Sequence, residues 1–301
     1  MTMPLSNRFL ADIVLSLNKN QTLEHSGMDS LEKCQDKNHF LSYPHPVTYN
    51  YNSRGFRDRE WPDTIEELQN AIWCIGDSFT VGMGSPLEFT WPQMLEKITG
   101  RRCINVSMDG ASNDWITRRA QQIINQIAPT HMVVLWSYLH RRELPDTKKS
   151  DEARRTYTKP YSVDIDDHVN FVNCYTNLNN CLSTVKIYNA IVPKANADYY
   201  SFKDQIIKSW NKIKDSNWPC EPPTCQIEFE SLPGVIQADF LKRAPDIVDL
   251  IKSPLVKLLQ GKDQLLKLTN LDYARDGHHF DKMTSEFFVQ KICENFDSKN
   301  L

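Results

Sequence analysis

Ser78 is the first residue whose setting could do chemistry. It lies in AIWCIGDSFTVGMG, residues 71–84, where an apolar run ends at Gly76 and Asp77 and Ser78 follow at once. Three of the chain's 10 glycines, Gly76, Gly82 and Gly84, surround it. A serine hydroxyl is a poor nucleophile until a neighbouring base takes its proton. A helix starting beside Ser78 would supply N–H groups and positive potential that favour a developing oxyanion. Small residues at the turn let a substrate approach the backbone. Aspartate and serine also cap helices, and a Gly-Asp-Ser tripeptide arises by chance in roughly one chain in ten of this length at average residue usage. The motif needs a base before it means catalysis.

The segment DGHH, Asp276 to His279, offers one. An aspartate three residues before a histidine in a turn can reach the imidazole, orient it and stabilise the imidazolium during proton transfer. Two other readings stay open. Asp276 can start a helix from a solvated turn, or Asp276, His278, His279 and Asp281 can form a metal site, although no second cluster with ligand spacing accompanies them. A third group of interest is LHRRE. Arg141 and Arg142 form bidentate bonds to carboxylate or phosphate and would suit an anionic substrate; pairing with Glu143 on the surface is the simpler alternative.

These residues need a scaffold, and the sequence has the pattern of one. From residue 71, short apolar runs alternate with helical stretches. AIWCI reads as a strand buried on both faces and HMVVLW as another buried strand, with CINVS and VKIYNAIVP as further strands. TWPQMLEKITG reads as a helix with Thr90 as N-cap, Pro92 in its first turn and Gly100 after its last. SNDWITRRAQQIINQIAP and MTSEFFVQKICENF read as further helices, the latter with Phe288, Ile292 and Phe296 along one side. This alternation predicts an α/β fold, a parallel sheet covered on both faces, with functional groups at the carboxyl ends of the strands. Residues 1–66 are expected to form an extension packed on the main domain, with an amphipathic helix near Leu10–Leu17. Residues 67–301 form that domain, with an irregular insertion near 195–235 and helix over 245–268 broken at Pro254.

The chain's 301 residues are 40% hydrophobic with a formal net charge of -3, which gives no support to a nucleic-acid-binding face. No apolar run reaches bilayer-spanning length and the amino terminus lacks the features of a secretory signal, so a cytoplasmic protein is expected. The eight cysteines include no CxxC pair and read as reduced thiols.

Taken together, GDSFTVG after the first strand, INVSMDGAS after the second and DGHH before the last helix resemble the SGNH (GDSL-type) hydrolases, and YNSRGFRDREWP resembles the lead-in of many bacterial members. The likeness covers roughly residues 50–301 and is poor between about 145 and 270. It implies a flavodoxin-like three-layer α/β/α sandwich. It also implies that Ser78 is the nucleophile, with Asp276 and His279 as its partners and the N–H groups of Ser78 and Gly110 as the oxyanion hole. The family's Gly-x-Asn-Asp after the third strand is absent; VVLWSYLHRRE stands there. Three explanations compete: Asn113 supplies the missing donor, Ser137 or His140 supplies it, or the hole is weak. Asp77, Ser137, His140 and Arg141 are expected to border the substrate. The function expected is a serine esterase without cofactor or metal, acting on a short acyl group such as acetyl on a carbohydrate. A catalytically weak binding module and metal-assisted hydrolysis are the alternatives.

Overall fold

A computed structural model describes residues 10–143, 165–181, 184–193, 229–243, 248 and 265–297. At its centre is a five-stranded, fully parallel sheet: β3 (Ile72–Gly76), β4 (Cys103–Ser107), β5 (His131–Trp136), β6 (Lys186–Ile191) and β7 (Leu266–Lys267), in the order β4-β3-β5-β6-β7. Counted from β3, this is the 2-1-3-4-5 order of flavodoxin-like folds. Every residue of β3, β4 and β5 is buried, as expected of strands covered on both faces. A small antiparallel ribbon, β1 (Thr22–Leu23) with β2 (Tyr49–Asn50), precedes the sheet.

Helices cover the sheet in two groups. α2 (Ile65–Asn70), α5 (Asn113–Ile127) and α6 (Ile165–Asn179) pack as one group, with α5 against β3 and β5. α4 (Trp91–Thr99) packs with α8 (Lys282–Asp297) and β4 as the other. Both ends of α4 follow the sequence signals closely. α4 begins after Thr90, carries Pro92 in its first turn and ends at Gly100, whose φ is +67°. α5 is capped by the Ser112 side chain, which accepts from Trp115 N at 3.1 Å. The remaining helices among the described residues are α1 (Lys37–Ser42), α3 (Ser78–Val81) and α7 (Gly234–Arg243).

The order of the strands creates the site. The chain leaves β3 for β4 on one side and returns to β5 on the other, so the loops after β3 and β5 diverge and open a crevice at their carboxyl ends. Ser78 follows β3 and Ser137 follows β5.

Three expectations change. Leu10–Leu17 is not an α-helix: its only regular turn is a 3₁₀ turn over Ser16–Asn18. The Arg54 guanidinium takes the carbonyls of Leu10 and Ile13 at 2.6 and 3.3 Å, while Leu10, Ile13 and Leu15 sink into the main core. Leu266–Lys267, expected at the end of a helix, is instead the edge strand β7, pairing with Ala190 and Ile191. The insertion expected near 195–235 falls outside the described residues up to 228, as does most of 245–264.

Candidate active site

The turn carrying Ser78 is built by steric necessity. A Cβ on Gly76 would collide with Thr80 Oγ1 and lie 2.8 Å from the Leu135 carbonyl oxygen, so glycine is what lets α3 fold tightly onto β3. Asp77 caps α3, accepting from Phe79 N at 3.0 Å, and Gly82 closes it with φ +73°. Ser78 is therefore the first residue of a four-residue helix. Gly110 is the third residue of the turn Met108–Ala111, closed by Ala111 N donating to Met108 O at 3.0 Å. Its φ of +70° is what a type II turn requires there. Among the described residues, neither the Ser78 nor the Gly110 N–H has a hydrogen-bond partner.

The opposite wall is the loop before α8. Asp276 Oδ1 accepts the N–H groups of His278 and His279 at 2.9 and 3.0 Å, which winds the loop around its own carboxylate. Oδ2 lies 2.5 Å from His279 Nδ1, and His279 Nε2 lies 2.8 Å from Ser78 Oγ. Burial pushes the Asp276 carboxyl up, but the charge and hydrogen bonds of His279, with the backbone N–H groups, outweigh it and hold it at about 2. An ionised Asp276 fixes the tautomer. Nδ1–H donates to Asp276, and Nε2 is left to accept from the serine hydroxyl. All three residues are almost completely buried. The same Asp-x-x-His spacing at Asp36 and His39 does different work: Asp36 caps α1, and His39 Nε2 bonds the Ala274 carbonyl.

The segment ahead of the sheet braces this assembly, and the sequence did not reveal how. Arg57 is fully buried and donates to the carbonyls of Val81, Gly82, Thr48 and Ser85 at 2.5–3.2 Å, lying over the Tyr49 ring at 4.3 Å. It thus holds the carboxyl end of α3, whose amino end Asp77 holds. Tyr49 Oη donates to Asp29, which also takes two bonds from Arg275, next to Asp276. Gln35 N donates to Asp276 O, and Tyr43 Oη donates to Asp281 at 2.6 Å. Three arginines in YNSRGFRDRE were the available signal, but nothing in their spacing says that Arg57 turns inward.

The residues after β5 lie near the site, but most of their polar groups are engaged within the protein. Asn113 holds the loop: its Nδ2 donates to Tyr138 O and its Oδ1 accepts from Ser137 N, both at 3.0 Å. It stands at the first position of α5, one after the cap, and ties the loop after β5 to that helix. Ser137 Oγ donates to Asp77 Oδ2 at 2.5 Å. Arg141 Nη1 donates to the same Asp77 oxygen at 2.9 Å, so Asp77, Ser137 and Arg141, expected to border the substrate, also bond one another in an internal network. Arg142 pairs with Asp167, and Glu143 with Arg118. His140 is buried, stacked on Tyr138 at 5.6 Å; burial, then the Arg141 charge, lower its pKa to about 4 and keep it neutral. Tyr138, His278 and Phe79 cluster beside His279, with Tyr138 Oη 3.2 Å from His278 Nε2.

The four residues of the alternative metal site diverge. Asp276 faces His279, His278 faces Gln35 and Tyr138, and Asp281 faces Tyr43 and Ser85. Among the described residues no group of three histidine, cysteine or acidic side chains is arranged to hold a metal ion. Nor is any described helix long and apolar enough to cross a membrane.

In strand order and motif placement the chain resembles the SGNH (GDSL-type) hydrolases, an α/β class with a parallel sheet flanked by helices. Matching solved structures include a GDSL-like protein from Bacteroides ovatus (11% identity, TM-score 0.37, 79% of this chain and 54% of that one). A GDSL-like lipase from Bacteroides thetaiotaomicron matches at 11% identity and TM-score 0.38, over 80% of this chain and 93% of that one. An acetyl xylan esterase from Butyrivibrio proteoclasticus matches at 12% identity and TM-score 0.39, over 76% and 64%. The chain thus spans just over half the length of the first. No family model and no curated protein matches.

Proposed function

We propose that the chain is a serine esterase working through an acyl-enzyme. The observation that carries this reading is the hydrogen-bonded series Ser78 Oγ, His279 Nε2, His279 Nδ1, Asp276 Oδ2, at 2.8 and 2.5 Å. His279 Nε2 takes the Ser78 proton as Oγ attacks the acyl carbon, and the carbonyl electrons move onto oxygen. The Ser78 and Gly110 N–H groups donate to that oxyanion. Collapse breaks the ester C–O bond, and the leaving alkoxide takes the proton from Nε2. Water, deprotonated by His279, then attacks the acyl-enzyme and releases the acid and free Ser78. Asp276 stays ionised throughout.

The substrate we propose is a short acyl group on a hydroxyl-rich alcohol such as an O-acetylated carbohydrate; the polar groups of Tyr138 and His278, next to His279, support this reading. A second reading, a slow or inactive binding module, draws support from Asn113 and Ser137, two of the candidate third oxyanion donors, which are both engaged elsewhere. Losing one such donor costs about 2.7–4 kcal/mol of transition-state stabilisation, which slows an enzyme without abolishing it.

Hydrolysis of p-nitrophenyl acetate separates these readings. The esterase requires activity that Ser78→Ala abolishes and a chelator leaves intact. Equal rates for the wild type and Ser78→Ala exclude Ser78 as nucleophile, and loss only on chelation restores the metal reading.

A further inference from the structure

Asp77 presents a problem for the reaction proposed above, on which this inference rests. Its carboxylate is fully buried and caps the helix end where the Ser78 N–H must receive the oxyanion. A carboxylate there stabilises the helix dipole but opposes negative charge developing on the substrate. The loop after β5 answers it. Arg141 Nη1 and Ser137 Oγ both donate to Asp77 Oδ2, at 2.9 and 2.5 Å, and Arg141 also donates to Ser137 Oγ at 3.1 Å. The guanidinium lies over the Tyr138 ring at 4.7 Å, and its own loop is tied to α5 by Asn113. The cation is therefore held in place by aromatic stacking and by a fixed loop, in a region of low exposure where screening is weak.

We propose that Arg141 serves catalysis through Asp77, cancelling the carboxylate's charge at the oxyanion site while leaving it free to cap the nucleophile's helix. The residues after β5 then contribute charge balance where the resemblance leads one to expect an oxyanion donor. This explains why an arginine follows the third central strand and turns inward. An ion pair needed only for stability would show in unfolding and leave the kcat of the folded enzyme unchanged when either member is neutralised. An electrostatic role makes them unequal: losing Arg141 strands a negative charge beside the oxyanion, whereas losing the Asp77 charge does not.

The test measures kcat and KM for p-nitrophenyl acetate at pH 8 on the full chain, with thermal unfolding as a check on folding. The variants are Ser78→Ala, Arg141→Met, Asp77→Asn and the double variant Asp77→Asn/Arg141→Met; asparagine still caps a helix. Arg141→Met should lower kcat about 100-fold with KM nearly unchanged, the order of magnitude for one uncompensated unit charge close to a reacting centre at an effective dielectric constant near 20. Asp77→Asn, which removes the opposing charge and keeps the cation, should not lower kcat, and the double variant should recover at least about 10-fold over Arg141→Met, as expected when two residues act through one coupled charge balance. If Arg141→Met does not fold, Arg141→Lys, which keeps the charge, should stay within about 10-fold of the wild type. Equal damage from Asp77→Asn and Arg141→Met, or no rescue in the double variant, overturns the charge-balance role while Ser78→Ala remains inactive. Full activity in Ser78→Ala overturns the nucleophile reading itself.

Discussion

Replacing Arg57 with methionine tests whether the amino-terminal segment builds the site or merely covers it. The guanidinium is 1% exposed and donates four hydrogen bonds, to the carbonyls of Thr48, Val81, Gly82 and Ser85. Methionine fills much of the stem's volume but leaves the carbonyls of Thr48, Val81 and Ser85 without their donor, while Gly82 O keeps its bond from Ser85 N. At the low end of about 1 kcal/mol for each orphaned group, the loss is about 3 kcal/mol. Relief of burying a cation, whose desolvation already lowers the Arg57 pKa, offsets part of this. A net destabilisation of about 2 kcal/mol remains, equivalent to roughly 4–8 °C in Tm for a domain of this general size. Urea unfolding followed by tryptophan fluorescence measures it as a lower midpoint at unchanged slope. Activity should fall alongside, because a four-residue helix has too few internal bonds to stand without its two end contacts. Arg57→Lys should recover only part of the loss, since an ammonium has three donors and no planar fork. A midpoint corresponding to less than about 1 kcal/mol, with normal activity, would refute the clamp.

Other substitutions probe the neighbouring contacts. Asn113→Ala removes both ties to the loop after β5 and should cost about 2–3 kcal/mol; its kcat should fall with stability, and a kcat loss at wild-type stability would instead mark Asn113 as an oxyanion donor. Tyr43→Phe deletes the hydroxyl bond to Asp281 beside the catalytic loop and should destabilise by about 1 kcal/mol, read in the same urea titration. Acid should act in two stages. His131 and His140 sit near 4 in the folded chain against 6.5 ordinarily, so the unfolded chain takes up protons first and stability declines as pH drops from 6.5 to 4. Asp276, held at about 2 against 3.8, adds stability that is present above 3.8 and lost as pH falls through 2. His140→Phe should shrink the first decline and leave the second, as measured by Tm against pH.

The central strands were legible because burial on both faces leaves short, mostly apolar runs: CINVS and HMVVLW coincide with β4 and β5 residue for residue. The ends of α4 were legible because Pro92 and Gly100 carry local backbone meaning. β7 was not, since two residues at a sheet edge have no periodicity, and their pairing with β6 is set by tertiary packing. Leu10–Leu17 carries apolar residues suited to a helix, yet Arg54, more than 40 positions away, takes its carbonyls. The candidate site divides the same way. Ser78, Gly110, Asp276 and His279 stand in turns whose chemistry is local. The roles of Asn113, Ser137 and Arg141 depend on which groups they meet in the folded chain, the backbone of the loop after β5 for Asn113 and the Asp77 carboxylate for the other two, and one-dimensional spacing says nothing of that.

The most direct test of the central claim is to treat the chain with a fluorophosphonate and locate the adduct by peptide mass mapping. A nucleophilic Ser78 predicts one phosphonyl group per chain, on the peptide holding Ser78, with esterase activity lost in step; the His279→Ala variant should label at least about 100-fold more slowly, because its serine has no base. Labelling of a different residue, or hydrolysis that persists after Ser78 is fully modified, would contradict it.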